Sequence, residues 1–156
     1  MLSAQTSADG AALLVSYMVR RAGNALLHVR LDTTPVHGSP FTVNVQPGPT
    51  AASTSSAQGA GLVHALVGVE AAFVVTAFDA FGNRKHSGGD RFQARLIGDA
   101  DGKQVSRCEF IDCEDGTYLS LFTPDAAATG KSARLHVTIG DVPIQGSPFA
   151  VTIRAA

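Results

Sequence analysis

"LHVRLDTTPVHGSPFTVNV" at residues 27–45 and "LHVTIGDVPIQGSPFAVTI" at residues 135–153 are one pattern written twice. They superpose without a gap. Leu27-His28-Val29 falls on Leu135-His136-Val137, Pro35 on Pro143, Gly38-Ser39-Pro40-Phe41 on Gly146-Ser147-Pro148-Phe149, and Val43 on Val151. Both copies carry two alternating apolar runs, the period of a strand with one buried face. Between the runs, glycine permits a sharp turn into the last strand. Proline is tolerated at a strand start, where no ladder N–H is needed. Phenylalanine then begins the apolar alternation. Further back, Asp9-Gly10 pairs with Asp115-Gly116 once small length differences are allowed. The period is far too long for a solenoid repeat and matches one β-sandwich domain of about 100 residues. Nothing precedes Met1 to match residues 50–110. The expected organisation is therefore half a unit, the last three strands of one domain in residues 1–46, followed by a complete unit in residues 47–156. The polar, small-residue stretch "PGPTAASTSSAQGAG" (47–61) is expected to link them and to begin the full unit.

The complete unit reads as seven strands with no helix. "GLVHALVGV" supplies the first, with a bend near Gly68, and "AAFVVTAFDA" the second. "FGNRKHSGGD" is a loop punctuated by Gly82-Asn83 and Gly88-Gly89. "RFQARLIG" alternates, with Phe92, Ala94 and Leu96 on one face and Arg91, Gln93 and Arg95 on the other. "VSRCEFID" sets Cys108 and Phe110 on one face, and a tight turn at 114–116 leads into "TYLSLFTP". "ARLHVTIG" and "GSPFAVTIR" close the unit. Strands with one apolar and one polar face fit antiparallel pairing, and seven of them indicate an all-β, immunoglobulin-like sandwich. The chain has no Trp and no cysteine pair spaced across two sheets, which excludes an antibody-type domain.

Composition narrows the chemistry. A net charge of −1 with interspersed signs offers no basic stripe for nucleic acid. No apolar run approaches the roughly 18 residues of a membrane span, and "MLSAQTSADG" lacks the features of a secretory signal. Cys108 and Cys113 are five residues apart, about 16 Å in an extended strand, so they are expected to be free thiols, which favours a reducing compartment. His28 and His136 occupy equivalent polar positions with no second ligand beside them, so exposed sheet histidines are expected rather than a metal site. "GAGLVH" lacks the lysine of a phosphate loop, and no serine sits in a G-x-S-x-G elbow. Asp112, Glu114 and Asp115 are too few for a calcium loop and read as turn chemistry. No cofactor, metal or catalytic constellation is expected.

Taken together, "AFDAFGNRKHSGGDRFQARLIG", "CEDGTYLSLFTPDAAATG" and "LHVTIGDVPIQGSPFAVTI" resemble the filamin-type repeat. The features that carry the resemblance are Asp79, Gly82-Asn83, Gly88-Gly89-Asp90, Asp115 to Tyr118, Pro124, Gly130 and the Gly146 to Phe149 block. The match covers about residues 58–154, and residues 9–45 match the last three strands. Residues 9–19 depart from the family's D-G-T-Y start, Val19 stands near its expected proline, and the loop at 98–104 is longer.

The resemblance implies a non-enzymatic interaction or scaffold module that docks extended peptides. Partner segments would add as an extra strand to a groove between about residues 91–97 and 105–111, by pairing with unpaired backbone on an edge. Phe92, Ala94, Leu96, Cys108 and Phe110 would lie near its floor, and Arg91, Gln93 and Arg95 along its rim. The competing reading is that the apolar set is sandwich core and that the arginines only keep an edge from aggregating. Further expected contacts are neighbouring repeats, or self-association through the incomplete first unit, without nucleic acid or direct membrane contact. The implied parent is a cytoplasmic, cytoskeleton-associated protein whose actin-binding domain would lie outside this chain. A cell-surface adhesion protein of the gamete type and a tripartite-motif ubiquitin ligase are the alternatives.

Overall fold

Alternating runs become strands throughout the computed structural model, which describes residues 2–128, 130 and 132–156. The chain divides into two compact units, residues 1–46 and 47–156.

The first unit holds six strand segments: β1 (Leu2–Thr6), β2 (Leu13–Tyr17), β3 (Gly23–Leu27), β4 (Arg30–Leu31), β5 (Thr34–Pro35) and β6 (Phe41–Val45). β1 and β2 form one antiparallel hairpin, β3 pairs with β6, and β4 with β5. The sequence reading expected about three strands here. It missed β1, whose "LSAQT" alternates only over Leu2 and Ala4, too short a run to mark a strand, and β4–β5, two-residue ladders that only the tight turn between them defines.

The second unit holds β7 (Ser56–Gln58), β8 (His64–Leu66), β9 (Ala71–Thr76), β10 (Phe92–Gly98), β11 (Gln104–Asp112), β12 (Thr117–Phe122), β13 (Ser132–Ile139), β14 (Val142–Pro143) and β15 (Phe149–Arg154). Single 3-10 turns occur at Ala60–Leu62 and Ala126–Ala128. The strands run β7-β9-β12-β11-β10-β13-β15-β8, with β14 beside β13. This succession folds over on itself as an immunoglobulin-like sandwich. β11 is the strand that turns the corner. Its first part pairs with β10 and its second, from Cys108, with β12.

One expectation, the course of the first strand, is corrected. Residues 47–61 lie within the second unit. They contain β7 and buried Ala52 and Ser55, and the Ser55 hydroxyl accepts from the Phe78 N–H and donates to the Ala51 carbonyl. The first strand of the unit is not continuous with a bend at Gly68. It is split, with β7 on β9 and β8 parallel to β15, so that one segment serves both sheets. Small residues hid this, because neither half has apolar alternation.

The core lies between the two halves of the sheet. Phe73 and Val75 of β9 and Tyr118 of β12 face Leu96 of β10, Leu135 and Val137 of β13, and Val151 and Ile153 of β15, all fully buried or nearly so. Burial of each such aliphatic side chain contributes about 1.5–3 kcal/mol.

The repeated stretch is repeated in structure. Leu27 pairs with Phe41 as Leu135 pairs with Phe149, and Ala25 with Val43 as Ala133 with Val151. Arg30 and Pro35 are partners, as are Thr138 and Pro143. Ser39 Oγ accepts from the Val29 N–H at 2.9 Å, and Ser147 Oγ from the Val137 N–H at 2.9 Å. Gly38 and Gly146 have φ of 87° and 84°, where a side chain would be strained. The GSPF block is thus a latch. Its glycine makes the turn, its serine ties the turn back to the preceding strand, and its phenylalanine opens the next.

The surroundings differ. None of the described side chains in residues 3–46 is buried. The β1–β2 hairpin has the register of the second half of β11 with β12, so Leu13, Val15 and Tyr17 correspond to Tyr118, Ser120 and Phe122. Those three are at most 3% exposed, whereas Leu13, Val15 and Tyr17 are 64%, 43% and 44% exposed.

Candidate peptide-binding groove

β10 is paired with β13 along its whole length, from Phe92↔Ile139 to Gly98↔Ala133. On its other edge it meets β11 only at Arg95↔Arg107, Leu96↔Ser106 and, after a register shift, Ile97↔Gln104. β11 then departs to β12. Its residues from Cys108 to Asp112 are paired on that side alone, and Phe92 to Ala94 are paired only with β13. The two strands therefore diverge and leave a cleft of about 450 Å³ between facing edges. The free edge of β11 is about 16 Å long, room for roughly five extended residues.

The divergence is held at both ends. Ser106 Oγ donates to the Thr123 carbonyl at 2.8 Å, fixing β11 where it leaves for β12. At the other end Asp112 accepts from the Gly89 N–H at 2.7 Å. A Cβ at Gly88 would lie 2.3 Å from the Asp112 carboxylate, so the loop comes this close only without a side chain. The Tyr118 hydroxyl donates to Asp90 at 3.0 Å and accepts from the Asp90 N–H at 3.1 Å, and Thr50 Oγ1 donates to the same carboxylate at 2.7 Å. Burial, with the Asp90 carboxylate beside it, pushes the Tyr118 phenol up to about 12. The start of β10 is thereby tied to the core.

The preceding loop is organised by Asp79. Burial alone would raise its carboxyl. Hydrogen bonds from the Asn83 side chain and from the backbone N–H groups of Gly48, Asn83 and Phe81 overcome that and hold it at about 2.

Phe92, Ala94, Cys108 and Phe110 line the floor of the cleft. The Phe92 and Phe110 rings are 6.2 Å apart, and Phe110 meets core Phe73 edge-on at 6.0 Å. Phe92 is 6% exposed; Ala94, Cys108 and Phe110 are half-buried. Burial pushes the Cys108 thiol up to about 12. The rim is polar: Gln93 and Arg95 on β10, Gln104 and Arg107 on β11.

Two residues named from sequence lie elsewhere. Leu96 is fully buried in the core, because β10 and β11 are already paired at that position and close the cleft. Arg91 is exposed just before β10 and does not line the cleft. Sequence reading missed Gln104 and Arg107. The alternation of β11 places Arg107 on its outward face, but only the pairing register sets it opposite Arg95. Both cysteines are free, Cys113 being exposed. Among the described residues no three His, Cys, Asp or Glu side chains gather as a metal site, and no helix is long and apolar enough to cross a membrane.

Known proteins share this sequence pattern and fold. The filamin/ABP280 repeat family matches residues 49–150. The alpha chain of the flagellar outer-arm dynein of Chlamydomonas reinhardtii is 35% identical over 109 residues, covering 65% of this chain and 2% of that protein. The E3 ubiquitin-protein ligase TRIM71 of Mus musculus is 32% identical over 104 residues, 67% of this chain and 12% of the ligase. Filamin-A of Drosophila melanogaster is 30% identical over 149 residues, 96% of this chain and 6% of that protein. The chain therefore spans a small part of each relative. The crystal structure of the Lin-41 filamin domain superposes with a TM-score of 0.58 at 25% identity, covering 70% of this chain and 100% of the domain. Sequence, sandwich topology and repeat pattern agree: the chain belongs to the filamin/ABP280 repeat family, a non-catalytic module of protein–protein interaction.

Proposed function

We propose that residues 47–156 dock an extended segment of a partner protein by β-strand addition in the cleft between β10 and β11. The observation that carries this reading is the divergence of the two strands. It leaves facing backbone edges without a strand between them, above an apolar floor with room for alternate side chains. Backbone pairing supplies affinity, and the floor selects small or apolar side chains.

The module serves as a spacer and docking surface in a cytoskeleton-associated protein. This setting is favoured because the match to Drosophila melanogaster Filamin-A extends over both units, whereas the ligase match spans about two thirds of the chain. In the same reading, the apolar face of residues 1–46 is covered by a neighbouring repeat of this family. The template is the second unit, where the corresponding positions of β12, β13 and β15 are buried against strands such as β9 and β10.

Selection of peptides on the full 156-residue chain, followed by backbone NMR, tests the docking. Bound peptides should move the amides of Phe92 to Ala94 and Cys108 to Asp112, and Phe110→Asp should abolish binding with the fold intact. Peptides that bind Phe110→Asp equally well would refute strand addition at this site.

A further inference from the structure

The cleft is lined by two cations and no carboxylate. Arg95 and Arg107 are direct cross-strand partners where the strands close, so they share the outward face with Cβ atoms about 5 Å apart. Like charges placed opposite each other destabilise a sheet. Arg95 also faces His136 on its other side, extending the basic row across three strands. Neither guanidinium forms an ion pair among the described residues, where Arg84 pairs with Asp115 and Arg134 with Asp99. Carboxylates line the neighbouring hollows. Asp141 lines one on the far side of Arg95, and Glu109, which shares the outward face of β11 with Arg107, lines another with Glu70 and Asp125. Each arginine thus lies between the cleft and a hollow with an acidic member, held by neither.

An added strand alternates its side chains between the floor and the outward face. Resting on the docking reading above, we infer that the occupant is an extended segment with apolar residues facing Phe92, Cys108 and Phe110 and an acidic residue on the outward side, beside Arg95 and Arg107. A carboxylate there gains charge-assisted, bidentate hydrogen bonds from guanidinium donors and relieves the repulsion between the two arginines. Arg95 and Arg107 would then set the specificity of a site whose affinity comes from backbone pairing.

The test uses three capped nine-residue peptides, alternating serine and valine, with glutamate, serine or lysine at the central outward position. Binding to the full 156-residue chain is read by NMR titration at low salt, where exposed charge pairs are least screened. The glutamate peptide should bind about tenfold more tightly than the lysine peptide, with serine between. Arg95→Gln should shrink that ratio, and the double variant Arg95→Glu with Arg107→Glu should invert it, each with an unchanged amide spectrum outside the cleft. Equal binding of all three peptides, with the cleft amides shifted, would overturn the acidic preference and leave strand addition standing. Binding that moves no cleft amide, or no binding by any peptide, would overturn strand addition and this inference with it.

Discussion

Leu135→Ala and Leu27→Ala remove the same atoms from the same place in the repeat, and they should differ several-fold in cost. Leu135 is fully buried between β10 and β15, with Leu96 and Phe149 as its cross-strand partners. Truncation removes the equivalent of three methylene groups, about 2–2.5 kcal/mol of transfer energy at about 0.8 kcal/mol each. The surrounding sandwich cannot collapse fully onto the space, and the cavity brings the total to about 3–4 kcal/mol. At a urea dependence of about 1–3 kcal/mol per molar, the midpoint falls by roughly 1–4 M. Leu27 has the same partner, Phe41 in place of Phe149, but is half-buried beside a phenylalanine that is 41% exposed. Its truncation returns less surface to water and leaves no closed cavity, so the cost is under about 1 kcal/mol. Urea unfolding of the full chain, followed by circular dichroism and by hydrogen exchange resolved to each unit, reads both variants. A Leu27→Ala cost of 2 kcal/mol or more would refute the reasoning, because the first unit's apolar face would then be covered in solution. A cost that grows with protein concentration would identify that cover as a second copy of the chain rather than a neighbouring repeat.

Two further outcomes follow from titrating groups. The folded Asp79 carboxyl is held at about 2, below its ordinary 3.8, so it contributes stability that is complete above about pH 4 and lost as pH falls toward 2. Asp115 and Asp9, lowered by hydrogen bonds from Thr117 and Ser7 respectively, act in the same direction. Urea midpoints should drop between pH 5 and pH 2.5, and Asp79→Asn should be less stable at pH 5 with a shallower fall; a variant as steep as the parent would show that Asp79 does not carry the effect. Exposed Cys113 should react with iodoacetamide at pH 8 well before Cys108, whose thiol burial pushes up to about 12. Mass spectrometry of the singly labelled peptide reads the order, and a cleft-bound peptide should slow Cys108 further.

Much of the local architecture was legible in residues 1–156 taken as letters. Alternation assigned Phe92 and Ala94 to one face of β10, and Cys108 and Phe110 to one face of β11, and the observed burial follows that parity. The spacing of "LHV" and "GSPF" placed two equivalent strand pairs, and their registers repeat residue for residue. These are short-range properties. A period of two sets the face, and a turn of few residues sets the register of the strands it joins.

What the sequence could not carry is where non-adjacent strands part company. β11 leaves β10 after Arg107, and that single event withdraws Leu96 into the core, opens the cleft over Cys108 and Phe110, and sets Arg107 against Arg95. The division of the first strand between β9 and β15 has the same origin. So does the contrast between Tyr17 at 44% exposure and its counterpart Phe122 at 3%. Alternation states which side of a strand is apolar. Whether that side is buried depends on a second sheet packing over it, and the strands that supply it lie tens of residues away in the chain.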